Sequence, residues 1–161
     1  MFLVKTDHFG AALWERIIDG EGAHSMLYIA VAGDGGFVIA GNLVRGDSDM
    51  LVLKVDGEGR ELWRRTIGTT GADDVNHGLA LLPDGRIVVT GYSRSWGARE
   101  NDILAATLSP AGELLSCEML GGAGDDRPIL AHADASGRVW IAGQTTSAGT
   151  GDTDVLLARL D

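Results

Sequence analysis

Acidic side chains recur in short, mostly glycine-rich runs along this chain. Gly46-Asp47-Ser48-Asp49 and Gly151-Asp152-Thr153-Asp154 carry two carboxylates each, Asn101-Asp102 carries one, and Asp73-Asp74 and Asp125-Asp126 add adjacent pairs. A hard cation such as calcium takes clustered carboxylate and carbonyl oxygens as ligands, so Asp47, Asp49, Asp152 and Asp154 are the metal candidates. Neither run continues to the distal glutamate of a calcium-binding helix-loop-helix motif. The same residues also suit a turn, where an aspartate accepts hydrogen bonds from its own loop's N–H groups. Recurrence in every repeat favours that structural use over a ligand site.

A second candidate is the segment Tyr92-Ser93-Arg94-Ser95-Trp96-Gly97-Ala98-Arg99-Glu100, the least repeat-like stretch of the chain. An aromatic flanked by arginines on a loop suits stacking on a sugar or contact with another protein. Tyr92, Arg94, Trp96 and Arg99 are therefore the ligand or partner candidates, against the plainer expectation that Trp96 tucks onto its neighbours. His8 sits in a turn, while His24, His77 and His132 fall in or near strands without a metal-ligand spacing such as His-Glu-x-x-His. Cys117 is the single cysteine, so no intrachain disulfide is possible. It lies in a strand with no histidine close in sequence, which predicts a buried, inert thiol. No nucleophile-elbow, phosphate-loop or dinucleotide fingerprint occurs, and no catalytic residue is assigned.

Bulk properties narrow the partners. The chain has 161 residues, 45% hydrophobic, with 24 glycines, 3 prolines and a net charge of −10. That length and apolar content predict one folded domain, residues 1–161. So acidic a chain lacks the basic patch that nucleic acid or an anionic membrane requires. No apolar stretch near Met1 has the form of a signal peptide, and none approaches membrane-spanning length. The compartment is not legible.

The elements that would position these residues follow from an internal repeat. Leu51 to Gly68 echoes Phe2 to Asp19, Ile103 to Gly121 is a more divergent copy, and Val155 to Asp161 opens a further one. Between them lie three hairpins with turns at Asp34-Gly35, Asp84-Gly85 and Ser136-Gly137, each ending in an aligned glycine: Gly41, Gly91 and Gly143. Short β-branched runs bounded by such turns read as strands, and no segment has the period of a helix. The expected class is all-β, with about three repeats of four antiparallel strands. Sheets of four strands repeated at such a period are the blades of a β-propeller.

Asp7…Gly10…Trp14 and Asp56…Gly59…Trp63 resemble the tryptophan-docking motif of quinoprotein-like (PQQ-like) propellers. The wider pattern, from Trp through Gly-x-Asp-Asp and the hairpin to Gly-Asp-x-Asp, resembles bacterial SBBP-type propeller repeats. The resemblance implies that Trp14 and Trp63 are packing residues, and Ser109 and Ser116 depart from it in the third copy. It implies no quinoprotein chemistry, because cofactor ligands cannot be placed on any residue. Carrying over those families' strand order (A and B inner, C and D outer) divides the chain into units near 1–19 (C-D), 24–68, 73–121 and 126–160 (A-B-C). Such a set cannot close a ring alone. The expectation is a homodimer whose strand exchange completes six blades, acting as a non-enzymatic binding or scaffold module. The alternative is a calcium- or carbohydrate-binding, or enzymatic, propeller with its site on the acidic loop face or axial channel.

Overall fold

The computed structural model describes residues 1–20, 22–69, 74–95 and 98–160, with backbone alone at 23, 26 and 27. The architecture is all-β, with no helix among the described residues. None is therefore long and apolar enough to cross a membrane. The first sheet pairs β1 (Phe2–Thr6) with β2 (Ala12–Ile17). The second is a meander of β3 (Ala23–Val31), β4 (Phe37–Val44), β5 (Ser48–Val55) and β6 (Glu61–Ile67). The third repeats it with β7 (Asp74–Leu81), β8 (Ile87–Ser93), β9 (Asp102–Leu108) and β10 (Leu114–Leu120). The fourth holds β11 (Asp126–Ala133), β12 (Val139–Thr145) and β13 (Asp154–Leu160). All pairings are antiparallel.

Local chemistry explains the hairpins. In the first turn of the second sheet, Asp34 Oδ1 accepts the Gly36 N–H at 2.9 Å, and Gly35 takes φ +82°. That left-handed conformation costs glycine no Cβ clash. Asp84 caps the turn of the third sheet in the same way, and in the fourth Asp134, two positions earlier in its turn, accepts the Ser136 and Arg138 N–H groups. Each first strand carries a register shift, at Met26/Tyr28, Asn76/Gly78 and Pro128/Leu130. Opposite these bulges lie Gly41, Gly91 and Gly143. A Cβ on Gly91 would stand 2.1 Å from Val75 O, and one on Gly143 2.2 Å from Arg127 O. The aligned glycines exist because the bulged strand presses its backbone against them.

Three apolar clusters join the sheets in chain order. Leu53 and Val55 of the second sheet pack on Met1, Leu3 and Ile18 of the first. Met50 and Val52 face Ile87, Val89, Leu104, Ala106 and Leu108 of the third. Ile103 and Ala105 then face Val139 and Ile141, with Leu156, Ala158 and Leu160, of the fourth. Middle-sheet strands are therefore apolar on both faces, as expected for a sheet covered on both sides. Asn76 N–H donates to Asn42 Oδ1 at 2.7 Å, tying the second and third sheets through a buried polar contact. Tyr28 Oη donates to Ile129 O at 3.4 Å, so the first strands of the second and fourth sheets approach each other past the third.

Candidate functional site

The acidic residues gather where third strands begin and the next sheet's first strand starts. Asp74 and Asp126 are fully buried there, at 0% and 1% exposure. Asp74 Oδ2 accepts the Thr69 N–H at 2.9 Å. Asp126 Oδ2 accepts the Gly122 N–H at 2.8 Å and the Ser147 hydroxyl at 2.6 Å. Asp49 shares the first boundary with Asp74, and Asp102 shares the second with Asp126. A Cβ on Gly68 would collide with Asp49, and one on Gly121 would lie 2.1 Å from Asp102 Oδ1 and 2.9 Å from Asp126 Oδ2. Glycine at 68 and 121 makes room for these carboxylates.

Burial pushes the Asp49 carboxyl above its usual range, with Asp47 and Asp74 adding to the effect. Burial and the Asp126 charge do the same to Asp102. One oxygen on each of Asp74, Asp102 and Asp126 is buried without a hydrogen-bond partner. For Asp49 and Asp102, burial beside like charge disfavours the ionised form. Asp154 starts β13 in the equivalent position, and its Oδ2 accepts the Gly151 N–H at 3.2 Å. Asp47 and Asp152 lie in the loops before these strands. Among the described residues no group of three or more His, Cys, Asp and Glu side chains is placed to hold a metal ion. The four calcium candidates thus divide between two sheets, Asp47 and Asp49 on the second, Asp152 and Asp154 on the fourth.

Three of the four candidates around the end of β8 fall within the described residues. Tyr92 lies within β8, paired with Val75 and Ile103. Its ring sits 5.2 Å from that of His77, and the Arg127 guanidinium lies 4.8 Å from its centroid. Arg94 pairs with Glu100 at 3.9 Å, and Arg99 is exposed. Trp96 falls outside the described residues. Asp125 fastens the base of this segment, accepting from Asn101 Nδ2 at 2.5 Å and forming an ion pair with the Arg127 guanidinium at 2.8 Å.

At the other end of the sheets, the three hairpin turns surround a basin of about 660 Å³. Its carboxylates are already neutralised within their own sheets. Asp34 meets Lys54 at 2.7 Å, Asp84 meets Arg86 at 2.7 Å, and Asp134 meets Arg138 at 2.7 Å. These contacts and the turn N–H groups hold all three carboxyls below the usual range. The basin offers shape without an uncompensated charge.

Trp14 and Trp63 join successive sheets. Trp14 Nε1 donates to Gly57 O at 3.0 Å, and Trp63 Nε1 donates to Pro110 O at 3.1 Å. Each indole lies on a turn glycine, since a Cβ on Gly59 would come 2.6 Å from Trp14 and one on Gly112 2.7 Å from Trp63. By register the next such position is Ser116: it faces Thr107 as Trp63 faces Lys54. A cavity of about 270 Å³ lies there, lined by Thr107, Ser116, Glu118, Val139 and Leu160 among others. Trp140 is half-buried on β12. His24 and His77 are held below the usual imidazole range, in both cases chiefly by burial.

One expectation is corrected. Cys117 is exposed, not buried. It lies on β10, the outermost strand of its sheet, whose pattern is largely exposed because no further strand flanks it. Partial burial still pushes the thiol up, away from a reactive thiolate.

No model of a known protein family matches the chain, and no curated protein matches it either.

Proposed function

We propose that this chain is a non-enzymatic β-propeller repeat protein that closes its ring with a second copy and acts as a binding or scaffold module. The observation that carries the reading is the pair of open apolar faces at opposite ends of the stack. Val155 and Leu157 on β13 are 87% and 67% exposed, although the register-equivalent Met50, Val52, Ile103 and Ala105 are buried against a following sheet. At the other end Phe2 and Val4 on β1, with Ile29 and Val31 on β3, stand open. Exposed apolar faces of this size and repetition mark association surfaces. Convergence of the first strands, with Tyr28 reaching Ile129, supports sheets that radiate from one axis. The resemblance to SBBP-type and PQQ-like repeats adds to this, with Trp14 and Trp63 in the docking positions.

In the closed ring β11 and β12 of one copy take the place of the inner strands that the first sheet of the other lacks, giving six blades. A point-group dimer satisfies both ends at once. Light scattering tests the reading: a solution mass of twice 16.9 kDa is expected, and a stable monomer overturns it.

The buried unpartnered oxygens of Asp74, Asp102 and Asp126 favour a second reading, a cation-binding propeller. Calorimetric titration of calcium into the assembled protein decides between the two. Heat saturating at one or two ions per chain supports cation binding, and its absence supports the scaffold.

A further inference from the structure

The junctions between sheets are built alike with one exception. From first to second sheet, and from second to third, an indole on the outermost strand covers the glycine of the next sheet's outer turn. Gly59 and Gly112 are buried by Trp14 and Trp63. The third sheet brings Ser116 to the same register and leaves the 270 Å³ cavity. A cavity of about 150 Å³ already accepts a benzene ring.

The missing aromatic has a counterpart elsewhere on the chain. The outer turn of the first sheet reads Asp7-His8-Phe9-Gly10, where the equivalent turns read Asp56-Gly57-Glu58-Gly59 and Ser109-Pro110-Ala111-Gly112. Phe9 is 84% exposed, and Gly10, at φ +87°, has no atom within 4 Å of its Cβ position. This is the only one of the three turn glycines left uncovered. Glu58 and Ala111, at the equivalent position of the other two turns, are exposed as well, beside glycines that an indole covers. Gly10 has no indole over it, so the Phe9 ring is free to lie there.

We infer that the occupant of the Ser116 cavity is Phe9 of a second copy, delivered when the β1–β2 hairpin of that copy completes the fourth sheet. The inference rests on the ring-closing reading above and names the contact that makes it specific. Register sets the placement: Thr6 corresponds to Val55, Leu108 and Leu160, so a β1 seated beside β12 brings its turn directly against Ser116. The incoming β1 takes the place of β13, so the open Leu157 position is filled by Leu3, already packed on the second sheet of its own copy. That exchange trades the seven residue pairs between β12 and β13 for those the five residues of β1 can make, and adds β2 as the outermost strand. It also covers Phe2 and Val4, now 60% and 48% exposed. The aromatic has thus moved across the junction, from the strand in the other two to the turn in this one. A wrong seating at an indole-covered junction finds no cavity.

The test is a Phe9→Cys, Ser116→Cys double variant in a Cys117→Ser background. Within one chain the second sheet separates the two positions, so a disulfide between them forms only between copies. Mild oxidation is expected to give a covalent two-chain species on a non-reducing gel, absent from either single-cysteine variant. A dimeric mass by light scattering without that cross-link overturns the inference and leaves ring closure standing, whereas a monomer overturns both. Independently, Phe9→Ser should weaken dimerisation at least about tenfold while leaving the monomer's unfolding unchanged, as for an aromatic anchor at an interface. Unchanged dimerisation overturns the assignment.

Discussion

The boundary between the second and third sheets and the boundary between the third and fourth share a plan and differ at their outer ends. Both have an aspartate on a third strand facing a buried aspartate on the next first strand, and both bury the same kind of apolar face. Trp63 fills the outer end of the former, while Ser116 leaves the outer end of the latter open. The third sheet presents a fourth strand and an outer turn to Trp63, whereas the fourth sheet has three strands, so the two boundaries differ in what they have left to bind. Strand pairing fixes the shape of a junction, and its outer end decides whether it is finished.

The largest expected effect comes from breaking the finished junction. Trp63→Ala removes an indole and its hydrogen bond to Pro110 O. It should cost about 3 kcal/mol of stability by urea unfolding. A loss below about 1 kcal/mol would mean that the indole only decorates the boundary. Next comes the acidic pair that the two boundaries share. Folding raises the Asp102 carboxyl above its unfolded value, so its charged form opposes folding. That penalty is complete above the raised value and fades as pH falls through it toward the unfolded one. Asp102→Asn should therefore stabilise the protein modestly at neutral pH, the gain being reduced by solvent screening at this partly exposed position. The gain should shrink in acid, as read from unfolding midpoints at several pH values. Ser116→Ala should change stability by less than about 0.5 kcal/mol, because the cavity is already there. The contrast with Trp63→Ala sharpens the comparison. Smallest of all, alkylating exposed Cys117 should leave the unfolding midpoint unchanged. Labelling should accelerate only in alkaline solution, since the thiol is pushed up.

How much could be read from residue types alone follows the range of the interactions. The strands, the Asp-Gly and Ser-Gly turns and the glycines at 41, 91 and 143 depend on neighbours a few residues away, and periodicity exposes them. The reason for those glycines did not show, because a bulge on the opposite strand leaves no local signature. Ser116 stood out against Trp14 and Trp63 by spacing, but the empty volume beside it depends on Val139 and Leu160 of another sheet. The carboxylate runs were visible as motifs. Their division into buried, partly unpartnered pairs depends on Gly68 and Gly121 making room, which spacing does not convey. Tyr92 seemed part of an irregular loop because Ser93 to Glu100 breaks the repeat, yet its own position continues β8. Cys117 misled for a related reason: its strand read as an outer one, but a lone thiol with no histidine near it suggests burial, and only the sheet's order shows that side of β10 open.

Because Trp14 and Trp63 each span two sheets, the indoles are natural optical reporters of the seams between sheets. In an array where each unit contacts mainly its neighbours, loss of order can travel from unit to unit. Tryptophan emission would then register sheets parting, while far-ultraviolet circular dichroism registers strands dissolving. A lead of the first signal over the second would time the opening of the stack against the melting of what it is built from.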